Sequence, residues 1–355
     1  MSTRKDWRTG EGNSNSAEIE RSWRAIDLGP ILAGDYNPPK PVVGQRSDGV
    51  GLFYPSKVHT LASESEAGKT WAVLAAAFDE MKAGKHVLYC DFEDTEEGIV
   101  GRLLTFGLPK DAINERFHYI KPTQSVNNEV NLADLMDVIN GHQPTLAVID
   151  GITEAMTMHG LNPNDNSEIA RFGEMLPRKI ARSGPATVCL DHVVKNGDSR
   201  GRYALGGVHK LNGLDGAAYI LEQRDPFGVG ITGRSAILIA KDRPGQLRKH
   251  ARRRNDGLFD FAEFTLDSHD DTYAEFEIKP AVARQREFRP TIVMAKISKV
   301  YETRGRAMSQ RDALALVGGK AETARMAFGL LRKEGYLSES TPHKLLRPYR
   351  GDEDA

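Results

Sequence analysis

An α/β fold built on a parallel sheet with helical crossovers is predicted by three features of the chain. From about residue 57, short apolar runs alternate with helix-like stretches; one run leads into a loop ending Gly68-Lys69-Thr70; and further apolar runs end in acidic residues, at Asp91 and Asp150. Strands are expected at residues 57–62, 86–92, 118–120, 145–149, 186–190 and 217–221. Helices are expected at 70–83, 96–106, 132–140 and 169–182. Runs at 235–240, 261–266 and 273–278 have no helix between them, so they are read as an antiparallel extension of the same sheet.

The 355 residues are 39% hydrophobic, enough for one large domain and a small one. Residues 1–25 are rich in Ser, Asn, Gly and charge and are expected to be disordered. The core is assigned to 26–280, a charged linker to 281–290, a small domain to 291–350 and an acidic tail to 351–355. Basic and acidic residues number 48 and 49, so no global field favours nucleic acid and any such contact must be local. Cys90 and Cys189 lie in expected strands and read as buried apolar thiols. With no apolar leader and no run of about 18 apolar residues, a soluble cytoplasmic protein without membrane contact is expected.

The segment Ser63-Glu64-Ser65-Glu66-Ala67-Gly68-Lys69-Thr70 carries the chemistry. A triphosphate needs backbone N–H groups around its β-phosphate, an ammonium on the β- and γ-oxygens, and a hydroxyl on Mg2+; Lys69 and Thr70 fit the last two roles. The usual first glycine is Ser63, which is compatible only if that backbone is not forced to a strongly positive φ. The strand ending in Asp150 is placed to hold Mg2+ through a water, so ATP and Mg2+ are the expected ligands. In Asp91-Phe92-Glu93-Asp94, strand alternation puts Asp91 and Glu93 on one face with Glu93 further out. Glu93 is therefore the candidate to activate water, while Asp94 and Thr95 suit a helix cap. His192, at the end of another strand, is a candidate sensor of the γ-phosphate.

These motifs together, residues 64–70, Phe92-Glu93-Asp94 followed by Arg102-Leu103, the strand ending in Asp150, and Asp191-His192, resemble the RepA-like branch of RecA-fold, AAA-type ATPases. That branch is related to the DnaB-type helicases and is frequent in plasmids and bacteriophages. The resemblance covers roughly residues 45–270. It implies a RecA-like P-loop core, a homohexameric ring with ATP between neighbours, and a DNA helicase acting in replication. A recombination or regulatory ATPase, or an ATP-switched replication initiator without unwinding activity, are the alternatives.

In such rings a basic residue from the adjacent subunit completes the site, and Lys241-Asp242-Arg243 matches that finger position. Arg243 is preferred over Lys241 because a guanidinium contacts two oxygens at once. The glycine-rich stretch 195–207 matches loops that grip single-stranded DNA: Lys195, Arg200, Arg202 and Lys210 suit phosphates and Tyr203 suits base stacking, unless this is a plain surface loop. Ser309 caps a helical pattern, Gly318-Gly319 turns, and residues 320–333 repeat apolar positions, which with the segments after 334 resembles a winged helix. Residues 291–350 hold 12 Lys or Arg against 5 acids, a formal +7. Lys320, Arg325, Arg332 and Lys333 are the candidate contacts to duplex DNA, with protein docking the alternative.

Overall fold

The computed structural model describes Trp23 and residues 25–192, 213–281, 290–318 and 320–350. The expected DNA loop, with Lys195, Arg200, Arg202, Tyr203 and Lys210, lies outside the described residues, as do most of the linker, nearly all of 1–25 and the acidic tail.

A short hairpin, β1 (Val43–Gln45) and β2 (Gly51–Phe53), precedes the main sheet. The sheet begins with β3 (Val58–Ser63), β4 (Val87–Asp91), β5 (Phe117–Ile120), β6 (Leu146–Asp150), β7 (Ala186–His192) and β8 (Ala217–Asp225). In space these run β5-β4-β6-β7-β3-β8, all parallel. The remaining strands, β9 (Thr232–Asp242), β10 (Arg252–Arg253), β11 (Phe259–Ser268) and β12 (Ala274–Pro280), add the expected antiparallel extension.

Both faces of the parallel part are covered, which is why its strands read as unbroken apolar runs. The side chains still alternate. Leu61, Val87, Tyr89, Val148, Val188 and Tyr219 face one layer, which includes α1 (Lys69–Lys82), α2 (Glu96–Thr105) and α3 (Lys110–Arg116). Ala62, Leu88, Cys90, Ile149, Cys189 and Ile220 face the other, built by α4 (Glu129–His142), α5 (Ile152–Met158), α6 (Asn166–Met175) and α7 (Pro177–Arg182). Both cysteines are buried free thiols, and burial pushes Cys90 up to about 12.

Local chemistry sets the helix ends. Thr95 caps α2 by accepting from the Gly98 N–H at 3.2 Å, and Asn128 caps α4 by accepting from the Asn131 N–H at 2.8 Å. The single helix expected over 169–182 is two, because Pro177 has no N–H to give to the preceding turn and instead opens α7. The hairpin β1–β2 and the helices α3 and α5 are additional to the sequence reading.

The C-terminal residues form α8 (Thr291–Arg304), α9 (Gln310–Val317) and α10 (Ala321–Lys333), with antiparallel bridges Met308–His343 and Leu337–Leu345. They surround a core of their own that includes Ile297, Tyr301, Phe328 and Leu331. Ser309 caps α9, accepting from the Asp312 N–H at 3.2 Å.

Candidate nucleotide-binding site

Strand register assembles the site. Ser63 pairs with His192 across β3 and β7, Asp150 with Leu190 across β6 and β7, and Asp91 with Asp150 across β4 and β6. The carboxyl ends of these strands therefore lie level on one edge of the sheet, where open α/β folds bind their ligands.

Between Ser63 and Lys69 the chain turns sharply. Ser63 is an ordinary strand residue, and the left-handed backbone falls at Glu66 (φ 65°) and Gly68 (φ 81°). Serine is thus tolerated at the loop's first position, because the conformations that favour glycine occur three and five residues later. Gly68 has a second reason to be glycine: a Cβ there would lie 2.7 Å from two carbons of the Phe227 ring.

Two bonds brace the loop from behind. Ser235 Oγ donates to the Ala67 carbonyl at 2.7 Å, and Gln223 Nε2 donates to the Glu66 carbonyl at 3.1 Å. These braces and Phe227 are not legible in the sequence, since nothing in local pattern ties strands β8 and β9 to a loop some 160 residues earlier. The loop opens α1, whose unpaired N–H groups and dipole favour an anion.

The buried Lys69 ammonium meets His192, at 3.0 Å from Nε2 and 3.4 Å from Nδ1. His192 Nε2 also lies 3.1 Å from Glu93 Oε1. Nε2 is the ring nitrogen nearest both partners, so the tautomer decides whether it accepts from Lys69 or donates to Glu93. The three residues chosen for phosphate binding, water activation and sensing thus form one connected chain.

Glu93 reaches that position by a route other than strand alternation. Strand β4 ends at Asp91, whose carboxylate turns back to accept from the N–H groups of Glu93 (2.9 Å) and Asp94 (2.8 Å) and from the Tyr119 hydroxyl (2.7 Å). Asp91 therefore shapes the turn, and Glu93, beyond the strand and partly exposed, is the acid free to face a ligand. Asp94 ion-pairs with Arg102 at 2.6 Å and Thr95 caps α2.

Asp150 is buried at 2% exposure. Its Oδ2 accepts from the Tyr89 hydroxyl at 2.5 Å, and among the described residues its Oδ1 has no hydrogen-bond partner. Burial raises its pKa to about 6. A withdrawn carboxylate oxygen without a donor, on the same edge as Thr70, fits the hydrated Mg2+ that nucleotide-hydrolysing folds of this kind use; Thr70 and Asp150 are the residues to hold it.

Lys241 and Arg243 lie elsewhere. Lys241 pairs with Ala218, and the Arg243 N–H donates to the Gly216 carbonyl, level with Val58 at the start of β3. Five strand residues, about 17 Å, separate that level from the phosphate loop. Arg243 is exposed, and the turn beside it is pinned by buried Asp242, which accepts from Tyr54 Oη at 2.8 Å and from the Leu247 N–H at 2.9 Å. The two basic residues cannot serve the phosphate loop of their own chain.

On α10, Arg325 and Lys333 are exposed, as is Lys320 at its cap, whereas Arg332 is half-buried with its Nε withdrawn from solvent. Arg332 follows the buried stripe residue Leu331, which explains its partial burial. Among the described residues no helix is long and apolar enough to cross a membrane.

No curated protein matches the chain. Residues 26–198 match the family model described as an AAA domain, a family found among RepA-like and DnaB-type helicases. With the parallel sheet, the loop and the aligned strand ends, that match, over just under half of the chain, supports a RecA-like core of the P-loop ATPase type.

Proposed function

We propose that the protein is a DNA-stimulated, Mg2+-dependent ATP hydrolase, a replicative helicase of the RepA-like type working as a homohexamer. The observation that supports this most is the Lys69–His192–Glu93 chain beside Asp150 at the aligned strand ends. The loop N–H groups, Lys69 and the start of α1 bind the polyphosphate. Glu93 orients and deprotonates the attacking water, and its bond to His192 fixes its direction. A γ-phosphate competes with His192 for the Lys69 ammonium, so its arrival and loss shift the ring that ends β7, directly before residues 193–212. Bound Mg2+ neutralises charge on the phosphate oxygens.

Arg243, too far from its own loop, acts on the phosphates of a neighbouring copy and stabilises the charge of the transferring group. The basic segment 195–210 contacts single-stranded DNA, and the C-terminal helices, read as a winged helix, contact duplex DNA. The test is ATP hydrolysis with and without single-stranded DNA, using Glu93→Ala as control, followed by strand separation. DNA stimulation that vanishes in the control supports the motor. A slow rate indifferent to DNA, or ATP-dependent duplex binding without unwinding, points instead to a regulatory ATPase or a switched initiator.

A further inference from the structure

Away from the phosphate loop, three histidines from distant parts of the sequence meet at the outer edge of the sheet. His86 directly precedes β4, His118 lies on the edge strand β5, and His142 is the last residue of α4. Two ring pairs are stacked, His118 with His142 at 3.8 Å by centroid and 22° and His86 with His118 at 5.2 Å and 22°, while His86 and His142 are tilted at 36° and 5.5 Å apart. His86 Nδ1 is 3.0 Å from His118 Nε2, and one nitrogen of each of the three rings lies within 4.8 Å of the others.

We propose that His86, His118 and His142 form a binding site for a divalent transition metal, with Zn2+ the ion that suits it. Three atoms no more than 4.8 Å apart have a common point within about 2.8 Å of each, and a zinc–imidazole bond is about 2.0–2.1 Å. The nitrogens need to close in by under about 1 Å, and the rings to turn out of their stack so that their in-plane lone pairs converge on the ion. Three neutral nitrogen donors select Zn2+ and its neighbours over Mg2+ or Ca2+, which require oxygen ligands, so the site is chemically distinct from the one at Asp150.

His142 is exposed and His86 and His118 are half-buried, which gives the ion a route in and leaves a fourth position for water. The flanking cations are engaged elsewhere: Lys85 pairs with Glu80 at 3.2 Å, and Arg116 donates to the Met81 carbonyl at 3.2 Å. Metal binding fastens the edge strand β5 and the end of α4 to the start of β4. The Thr145 N–H already donates to the His86 carbonyl there at 3.0 Å.

The test is calorimetric titration of the full chain with Zn2+ in excess Mg2+, repeated with His118→Gln and His142→Gln. Co2+ loading provides a visible spectrum that reports nitrogen ligation. The expected result is one Zn2+ per chain, affinity lowered at least tenfold in each variant, loss of the Co2+ band, and a Tm raised by a few degrees by Zn2+ in the parent only. His142→Gln, at an exposed position, separates loss of ligation from loss of folding. Absence of Zn2+ binding overturns the proposal, as does affinity equal to the parent's in both variants, which would place the metal on other side chains such as His192.

Discussion

Replacing Gly68 by alanine tests two forces that shape the phosphate loop. The first is conformational: at φ 81° an L-residue with a Cβ is disfavoured by about 1–2 kcal/mol. The second is steric. The new Cβ would stand 2.7 Å from Phe227 Cε2 and Cζ, and Phe227 is held by Phe264, whose ring stacks on it at 5.9 Å, and by Gly233, which leaves no room beside it. Forcing a methyl into such a contact typically costs about 1–3 kcal/mol. Together the terms give roughly 2–5 kcal/mol against the loop conformation, or about 30- to several-thousand-fold weaker ATP binding at about 1.4 kcal/mol per decade. Equilibrium binding of a fluorescent ATP analogue to Gly68→Ala, Phe227→Ala and the double variant separates them. The double variant should recover the steric part and keep the conformational part, a coupling of 1 kcal/mol or more. Unaltered affinity in Gly68→Ala, or strict additivity in the double variant, would refute this account of the loop.

Three other outcomes are expected. Glu93→Gln should bind ATP with near-parent affinity while turnover falls about 10²- to 10⁴-fold, measured by phosphate release; retained turnover would remove Glu93 as the base. Arg243→Ala should bind ATP but not turn it over, and mixing it with Glu93→Gln subunits should restore part of the activity; a mixture as inactive as its components counts against a finger acting between copies. His59 is fully buried, with Nε2 at 3.1 Å from the Tyr54 carbonyl and Nδ1 accepting the Ala217 N–H at 3.0 Å, and burial lowers its pKa from 6.5 to about 4. The unfolded chain then binds a proton that the folded chain refuses. Its contribution is complete above pH 6.5 and is lost as pH falls towards 4, by roughly 2 kcal/mol at pH 5 and 3 kcal/mol in the limit. Urea unfolding from pH 7 to 4.5 should show this slope, and His59→Gln should lack that part of it.

Much of the fold is legible because parallel strands buried on both faces leave continuous apolar runs, and each expected strand from 57 to 221 lies within a residue or two of an observed one, apart from longer carboxyl ends on β7 and β8. The loop ending in Lys69-Thr70 and the strand ending in Asp150 are equally visible, since their chemistry is contiguous in the chain. Pro177 announced a helix break that apolar periodicity alone passed over. The face of Glu93 was not legible from alternation, because the strand stops at Asp91 and a carboxylate-capped turn redirects the chain. Phe227, Ser235 and Gln223 support the loop only through long-range packing, and His86, His118 and His142 meet only because β4, β5 and α4 converge. The distance of Arg243 from its own loop becomes visible only once β8 and β9 are paired.

The proposed function rests on the strand ends around Lys69, Glu93, Asp150 and His192 forming one triphosphate-hydrolysing site. Its most direct test is ATP binding and Mg2+-dependent phosphate release by the full chain beside Lys69→Ala. The parent is expected to bind and hydrolyse ATP, and Lys69→Ala to lose binding with its thermal unfolding unchanged. ATP affinity in Lys69→Ala equal to that of the parent would contradict it.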